Sequence, residues 1–271
     1  MSLIADGISF VTGGRTLLAG VSLKVEPGQV HALLGPNGAG KTSLLRLLAG
    51  DRVPSSGTLE LDGRSLRQWP AGLLARRRAV QGQEDNLRFP LTTDEVVALG
   101  RMPHAPEPEA RETAVVKAAL EFCGADALGR RAYLTLSGGE RSRVRMARAL
   151  AQVYQQLEAP DSRERCYLLL DEPVAHLDIA HQHFAMKMMR RFAQAGGGVL
   201  VILHDPNLAL AYADAASLLK QGRLRATGPV NEVLTPPILE PVYGLSVQML
   251  GTHDGNTLLA WQAPAGSAAP R

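Results

Sequence analysis

Apolar and polar positions alternate along the first thirty residues with the period of β-strands. Ile8-Ser9-Phe10-Val11 and Val21-Ser22-Leu23-Lys24-Val25 carry the pattern, and Gly13-Gly14 and Pro27-Gly28 punctuate it. Val30-His31-Ala32-Leu33-Leu34 is a short apolar run of strand length ending at a glycine. Ser43-Leu44-Leu45-Arg46-Leu47-Leu48-Ala49-Gly50 then reads as a leucine-rich helix closed by glycine. Residues 30 to 50 therefore predict strand, glycine loop, helix. Thr58-Leu59-Glu60-Leu61-Asp62-Gly63 alternates again and predicts a strand and turn. From about 70 to 150 the pattern is helical, with charged faces and no convincing strand. Tyr167-Leu168-Leu169-Leu170 and Val199-Leu200-Val201-Ile202-Leu203 predict two more buried strands separated by a helical stretch, the pattern of a parallel sheet with crossover helices. Residues 154–165 are polar and contain proline, which predicts an exposed loop. The stretch from Pro264 to Arg271 reads as a disordered tail.

Composition narrows the classes. The chain of 271 residues is 45% hydrophobic and 20% charged, ordinary for a globular protein with a sizeable core. A net charge of +3 is small for this length and argues against nucleic acid as a partner. The arginines at Arg76-Arg77-Arg78 and at Arg141, Arg143, Arg145 and Arg148 read as solvated helix faces. Cys123 and Cys166 lie far apart without metal-ligand spacing and read as buried fillers in a reducing compartment. The N-terminus has no secretory pattern, and the apolar runs are too short to cross a bilayer. A cytosolic protein that meets membranes through a partner is expected.

Three motifs carry the chemistry. Gly35-Pro36-Asn37-Gly38-Ala39-Gly40-Lys41-Thr42 fits GxxxxGK[ST] between a predicted strand and helix. Glycines let backbone N–H groups turn inward around a phosphate chain, and the helix start aims its positive end at the same charge. Lys41 would reach the β- and γ-phosphates and Thr42 would offer its hydroxyl to magnesium; with Ser43 these residues form the candidate ATP-binding set. Tyr167 to Leu170 runs into Asp171-Glu172-Pro173, placing two acids at the carboxyl end of a buried strand. Asp171 is the candidate magnesium ligand and Glu172 the candidate general base for attacking water. Leu136-Ser137-Gly138-Gly139-Glu140 is an ordinary capping box by its Ser-x-x-Glu spacing. Its two glycines cost a helix start up to about 1 kcal/mol each, and make sense where a phosphate approaches those N–H groups.

LSGGE resembles the signature motif of ABC ATPases, and other markers of that family follow in order. The resemblance implies that Ser137, Gly138, Gly139 and Glu140 contact the nucleotide held by the opposite subunit of a head-to-tail dimer enclosing two ATP molecules. Gln83 looks like the glutamine that touches magnesium and reports nucleotide state to the membrane partner, with Gln81 as a competing candidate. Ala175-His176-Leu177-Asp178 resembles the loop whose aspartate, here Asp178, crosses the dimer seam. His204, directly after the strand at 199–203, resembles the switch histidine at the γ-phosphate. The resemblance covers about residues 3 to 250. It implies an α/β P-loop NTPase with a parallel RecA-like core sheet, an N-terminal antiparallel β part and a helical subdomain. The expected layout is one ABC ATPase domain over 1–253, with core segments about 1–85 and 160–253 and a helical subdomain about 86–153. Residues 254–271 would form a C-terminal strand and tail.

The family's adenine-stacking aromatic before the early glycine turn is replaced here by Thr12, with Val11 beside it and Phe10 as a substitute. Phe89-Pro90-Leu91-Thr92, Glu95 to Arg101 and His204-Asp205-Pro206-Asn207-Leu208-Ala209 resemble the ATPases of bacterial importers for iron chelates, haem and cobalamin. The stretch from Leu177 to His183 and the polar segment 154–165 look most like the haem importers. The resemblance thus implies ATP and Mg²⁺ as cofactors, a homodimer with two permease subunits, and a periplasmic binding protein acting indirectly. The place implied is the cytoplasmic face of the bacterial inner membrane. His181 and His183, two apart on a predicted helix, point to different faces, so direct haem ligation is not expected. His31, His104 and His253 read as structural or surface residues. A non-transport ABC ATPase and a P-loop kinase remain the rival readings, with siderophore or cobalamin as alternative cargo.

Overall fold

The computed structural model describes residues 2–82, 87, 89–175, 177–251 and 257–262. Two sheets and a helical layer hold the site. The first sheet is antiparallel and joins β1 (Leu3–Thr12), β2 (Arg15–Val25), β4 (Ser56–Leu61) and the short β5 (Arg64–Ser65) in the order β2-β1-β4-β5. The second sheet has six strands: β3 (Val30–Leu34), β6 (Arg78–Gln81), β7 (Tyr167–Asp171), β8 (Gly198–Ile202), β9 (Ala215–Lys220) and β10 (Arg223–Pro229). Their order is β10-β9-β3-β8-β7-β6, parallel except for the antiparallel edge pair β9 and β10. A hairpin of β11 (Ser246–Gly251) and β12 (Thr257–Gln262) stands apart from both.

The central strands β3, β7 and β8 are buried at every position, which explains their unbroken apolar sequence. Successive side chains of each strand enter two different cores. Leu33, Tyr167, Leu169, Leu200 and Ile202 pack with the antiparallel sheet and with the leucines of α1 (Lys41–Leu48). Ala32, Leu34, Leu168, Leu170, Val199 and Val201 face the other way, into a core built with the remaining helices.

Those helices are α2 (Ala71–Arg77), α3 (Thr93–Ala98), α4 (Glu109–Phe122), α5 (Gly138–Gln152), the short α6 (Gln155–Glu158) and α7 (Ile179–Gln194). After them come α8 (Pro206–Tyr212), the single-turn α9 (Val230–Val233) and α10 (Pro236–Tyr243). Helices α3, α4 and α5 pack on one another. Among the described residues no helix is long and apolar enough to cross a membrane.

Four expectations change. β6 lies inside the stretch read as free of strands: its sequence Arg-Ala-Val-Gln has polar ends, and pairing with β7 decides what periodicity could not. β9 also joins the core sheet unannounced. Residues 154–165 are not wholly an exposed loop, because α6 buries Gln156, whose carboxamide donates to Ala195 O at 2.7 Å and accepts the Cys166 N–H at 2.9 Å. The two arginine clusters are not simply solvated faces, although Arg141 is exposed. Arg77 is buried on Asp62 and donates to Arg165 O at 2.9 Å, Arg76 donates to Pro103 O at 2.7 Å, and Arg143 to Gly124 O at 2.5 Å. Long side chains that satisfy carbonyls at loop ends are structural cross-links, and spacing along a helix does not distinguish them from solvated charges. Cys123 and Cys166 are free and buried as expected.

Candidate functional site

β3, β8 and β7 end side by side, and their carboxyl ends gather the candidate residues. β3 runs directly into the glycine loop. Gly35 has φ 142° and its Cα hydrogen faces Leu219 O so closely that a Cβ would sit 2.0 Å from that oxygen. Gly40, at φ 105°, closes the loop as the N-cap of α1, where no side chain takes the capping role. First-turn N–H groups of α1 are therefore left for a ligand. Pro36 and Ala39 shape the turn through a bond from Ala39 N–H to Pro36 O at 3.2 Å, while Asn37 and Gly38 are exposed at its tip. Ser43 and Thr42 are half-buried in the first turn.

Lys41 is 6% exposed and folds back over the loop, donating from Nζ to Gly35 O at 2.7 Å and to Pro36 O at 3.1 Å. Burial lowers its pKa, opposed by the charges of Glu172 and Asp171, which places all three within one electrostatic cluster. Gly35→Ala is expected to destabilise the fold by more than about 2 kcal/mol, since strain and overpacking combine. Gly38→Ala, with nothing within 4 Å of the added Cβ, should lose distinctly less. Thermal unfolding of the two variants side by side checks this, and equal losses would refute the close-approach argument.

Asp171 ends β7 at 2% exposure. Thr42 hydrogen-bonds its carboxylate, while Oδ1 is buried without a partner among the described residues. Burial raises the Asp171 pKa, with Glu172 adding to the rise and Thr42, Arg46 and Lys41 opposing it. Glu172 follows at φ 51°, a left-handed conformation that costs a non-glycine residue roughly 1–2 kcal/mol. This turn takes its side chain off the strand direction. His204 Nε2 meets Glu172 Oε1 at 2.6 Å, so the imidazole N–H donates to the carboxylate. The site thus unites Gly35 to Ser43, Asp171, Glu172 and His204. Gln83 lies outside the described residues, as does His176. Gln81, its rival, ends β6 with its amide buried.

The signature segment lies elsewhere in the chain. Ser137 caps α5: its Oγ accepts the Glu140 N–H at 3.2 Å, and Glu140 Oε2 accepts the Ser137 N–H at 2.8 Å. The capping-box reading and the phosphate-contact reading are therefore compatible, because Gly138 and Gly139 keep their first-turn N–H groups open. Ser137 and Gly138 are exposed. The Ser137 N–H and then Arg131, 2.7 Å away, hold the Glu140 carboxyl below its usual range. Asp178 caps α7 and accepts from His181 N–H and Nδ1, each at 2.8 Å, which lowers its pKa. His183 instead meets the Tyr212 hydroxyl at 2.8 Å, so the two histidines have separate partners.

Sequence reasoning missed the residues that fasten these parts together. Ser142 Oγ donates to Pro173 O at 2.6 Å, tying the signature helix to the segment after Glu172. Arg141 donates to Leu136 O at 2.9 Å and Leu134 O at 3.0 Å, fixing the loop before the signature. Their only sequence signal is proximity to LSGGE. At the adenine end, Phe10 is packed against the inner core, and Val11 and Thr12 are exposed.

A phosphate loop after a central strand, with two acids and a histidine at the ends of its neighbours, defines a P-loop ATPase. The chain belongs to the ABC transporter family, whose model matches residues 18–175. It is 46% identical over 245 residues to the hemin import ATP-binding protein HmuV of Pseudomonas entomophila (strain L48), covering 90% of this chain and 93% of that one. The protein of the same name from Gloeobacter violaceus (strain ATCC 29082 / PCC 7421) is 45% identical over 249 residues, covering 92% and 89%. Among solved structures, a metal-chelate type ABC transporter in an inward-facing conformation superposes with a TM-score of 0.79 at 25% identity, covering 96% of each chain. The chain is an ATP hydrolase of this transporter family.

Proposed function

We propose that this chain powers the import of haem through a membrane permease, acting as a pair of identical copies peripheral to the cytoplasmic face of a bacterial inner membrane. The carrying observation for the motor is the 2.6 Å contact of His204 with Glu172 beside the phosphate loop. Identity of 46% over 90% of the chain with a hemin import ATP-binding protein supports the cargo.

The residues have the following work. The loop from Gly35 to Ser43 holds the phosphates of ATP through backbone N–H groups, and Lys41 exchanges its two carbonyl acceptors for phosphate oxygens. Mg²⁺ suits the bare, buried Asp171 Oδ1 and the Thr42 hydroxyl, an all-oxygen donor set. Bound there with Gln83, it would offset phosphate charge. Glu172 takes a proton from the attacking water, and His204, bonded to it, orients that carboxylate and reaches toward the γ-phosphate. The open N–H groups of exposed Gly138 and half-buried Gly139 suit the nucleotide of the second copy, with Ser137, Glu140 and Asp178 along the seam. The α3–α5 unit, about 86–153, serves as the helical subdomain between core segments 1–85 and 160–253, and passes closure of the dimer to two permease subunits. ATP drives that closure because it binds the closed pair more tightly than the open one. A periplasmic binding protein delivers the cargo, and haem never touches this subunit.

The test is ATPase activity of the chain with its permease pair in liposomes. Haem-loaded binding protein is expected to stimulate turnover, with siderophore or cobalamin equivalents inert. Stimulation by one of those instead would reassign the cargo, and indifference to all three would remove the import reading while leaving the ATPase in place.

A further inference from the structure

The chain beyond Pro236 has no part in the chemistry above, yet it touches that chemistry at three places. Asn207, three residues past His204, faces Leu259 of β12. Its Oδ1 accepts the Leu259 N–H at 2.8 Å and its Nδ2 donates to Leu259 O at 3.2 Å. The carboxamide thereby stands in for one residue of a neighbouring strand at the hairpin's edge. Two bonds to one residue fix orientation as well as distance. Asn207 N–H also donates to Asp205 Oδ1 at 2.8 Å, so the turn from His204 into α8 is held as a unit.

The second place is a cavity of ≈ 380 Å³ walled by His204, Asp205, Pro206, Tyr243, Leu245 and Trp261. Tyr243 from α10 and Trp261 from β12 meet edge to face, with ring centroids 5.3 Å apart. Helix and hairpin are thus one body against the histidine segment. The third is the phosphate loop itself, where the Tyr243 hydroxyl faces the Gly35 N–H. Burial pushes that phenol up to about 12, so it stays neutral at physiological pH. Lys220 Nζ donates to Pro241 O at 2.5 Å, mooring α10 to the end of β9, the strand against which Gly35 packs.

The His204 side chain is 48% exposed, so its own surroundings restrict it little, and its backbone must be held from outside for the 2.6 Å contact with Glu172 to persist. We propose that α10, β11 and β12 form a positioning clamp on the hydrolytic site: Asn207, held by Leu259, sets His204 against Glu172, and Tyr243 steadies the Gly35 end of the phosphate loop. The clamp rests on the assignment of His204 and Glu172 to hydrolysis.

Steady-state ATPase of the full chain with its permease pair, normalised to bound nucleotide, tests it with three variants. Asn207→Ala is expected to lower kcat about tenfold with KM for ATP within about twofold, as a misplaced group costs rate and not binding. Tyr243→Phe keeps the ring contact and should raise KM by about threefold or more with kcat within about twofold. His204→Ala is the control: unchanged turnover there would remove the hydrolysis assignment itself. If His204→Ala is inactive while Asn207→Ala turns over within about twofold of wild type, the clamp is wrong. Exchange of the Leu259 amide, expected to become fast in Asn207→Ala, shows that the contact has been cut. Persistent protection there, or parallel loss of kcat, KM and nucleotide sites in both clamp variants, would also overturn it.

Discussion

Glu172→Gln is expected to bind ATP as tightly as the wild type while its turnover falls by about 10²–10⁴-fold, the usual contribution of a positioned general base. The separation of binding from turnover follows from where Glu172 sits. In the proposed site Lys41, the glycine loop and the first turn of α1 would hold phosphate without it, whereas its carboxylate turns out of β7 toward His204. The glutamine keeps volume and an acceptor for the histidine N–H but has no basic oxygen to take a proton. Removing one negative charge beside Asp171 and Lys41 should, if anything, favour an anionic nucleotide. Single-turnover hydrolysis and equilibrium nucleotide binding on the same preparation are the measurements. Turnover within about tenfold of wild type would remove Glu172 from the base role and point to water activated by another group.

The left-handed conformation at Glu172 was not legible in the sequence, although Pro173 already disfavours a right-handed helix there. The strand, glycine turn and helix from 30 to 48, by contrast, were legible. Gly35 and Gly40 are demanded by close approaches to Leu219 O and Leu17 O, and Gly38 by its positive φ alone. Strands β3, β7 and β8 declared themselves because burial on both faces requires continuous apolar sequence. β6 and β9 did not: Arg78 and Gln81 are polar at the ends of one, and the other is recognised only by the neighbours it pairs with. Periodicity is equally blind to arginines such as Arg77 and Arg143, whose partners lie far along the chain. The same holds for Asn207 and Leu259, whose pairing spans 52 residues and connects elements with no shared motif. What was legible is what a ligand or a doubly covered strand imposes locally. What was hidden is the fastening between elements, which depends on the tertiary placement of single polar side chains.

His31 shows how such fastening reaches function. It is 4% exposed near the start of β3 and joins two sheets: Lys24 of β2 supplies a backbone acceptor, and Nε2 pairs with Ser217 Oγ of β9 at 2.8 Å. Ser217 passes the chain of bonds to Thr227 Oγ1 of β10 at 2.7 Å. Asp6, Lys24, Glu60 and Asp214 line the adjoining cavity, so carboxylates of both sheets face this region without a direct bond to the ring. Burial lowers the imidazole pKa from 6.5 to about 4, and the Lys24 bond only partly opposes it. A folded value below the unfolded one means that the unfolded chain binds the proton more readily. The stability held by neutral His31 is therefore complete above pH 6.5 and is lost as pH falls from there through 4. A shift of that size corresponds to about 3 kcal/mol. Urea unfolding should show the wild type losing this amount across the window, and His31→Gln, which cannot titrate, losing correspondingly less. Parallel stability curves for the two proteins would refute the assignment. In the folded chain His31 stays neutral until the pH nears 4, so its bonds and the β3 strand that leads into Gly35 remain intact above that value. ATP affinity of the wild type, corrected for nucleotide protonation, is therefore expected to match that of His31→Gln from pH 6.5 down to about 5 while the two stabilities diverge.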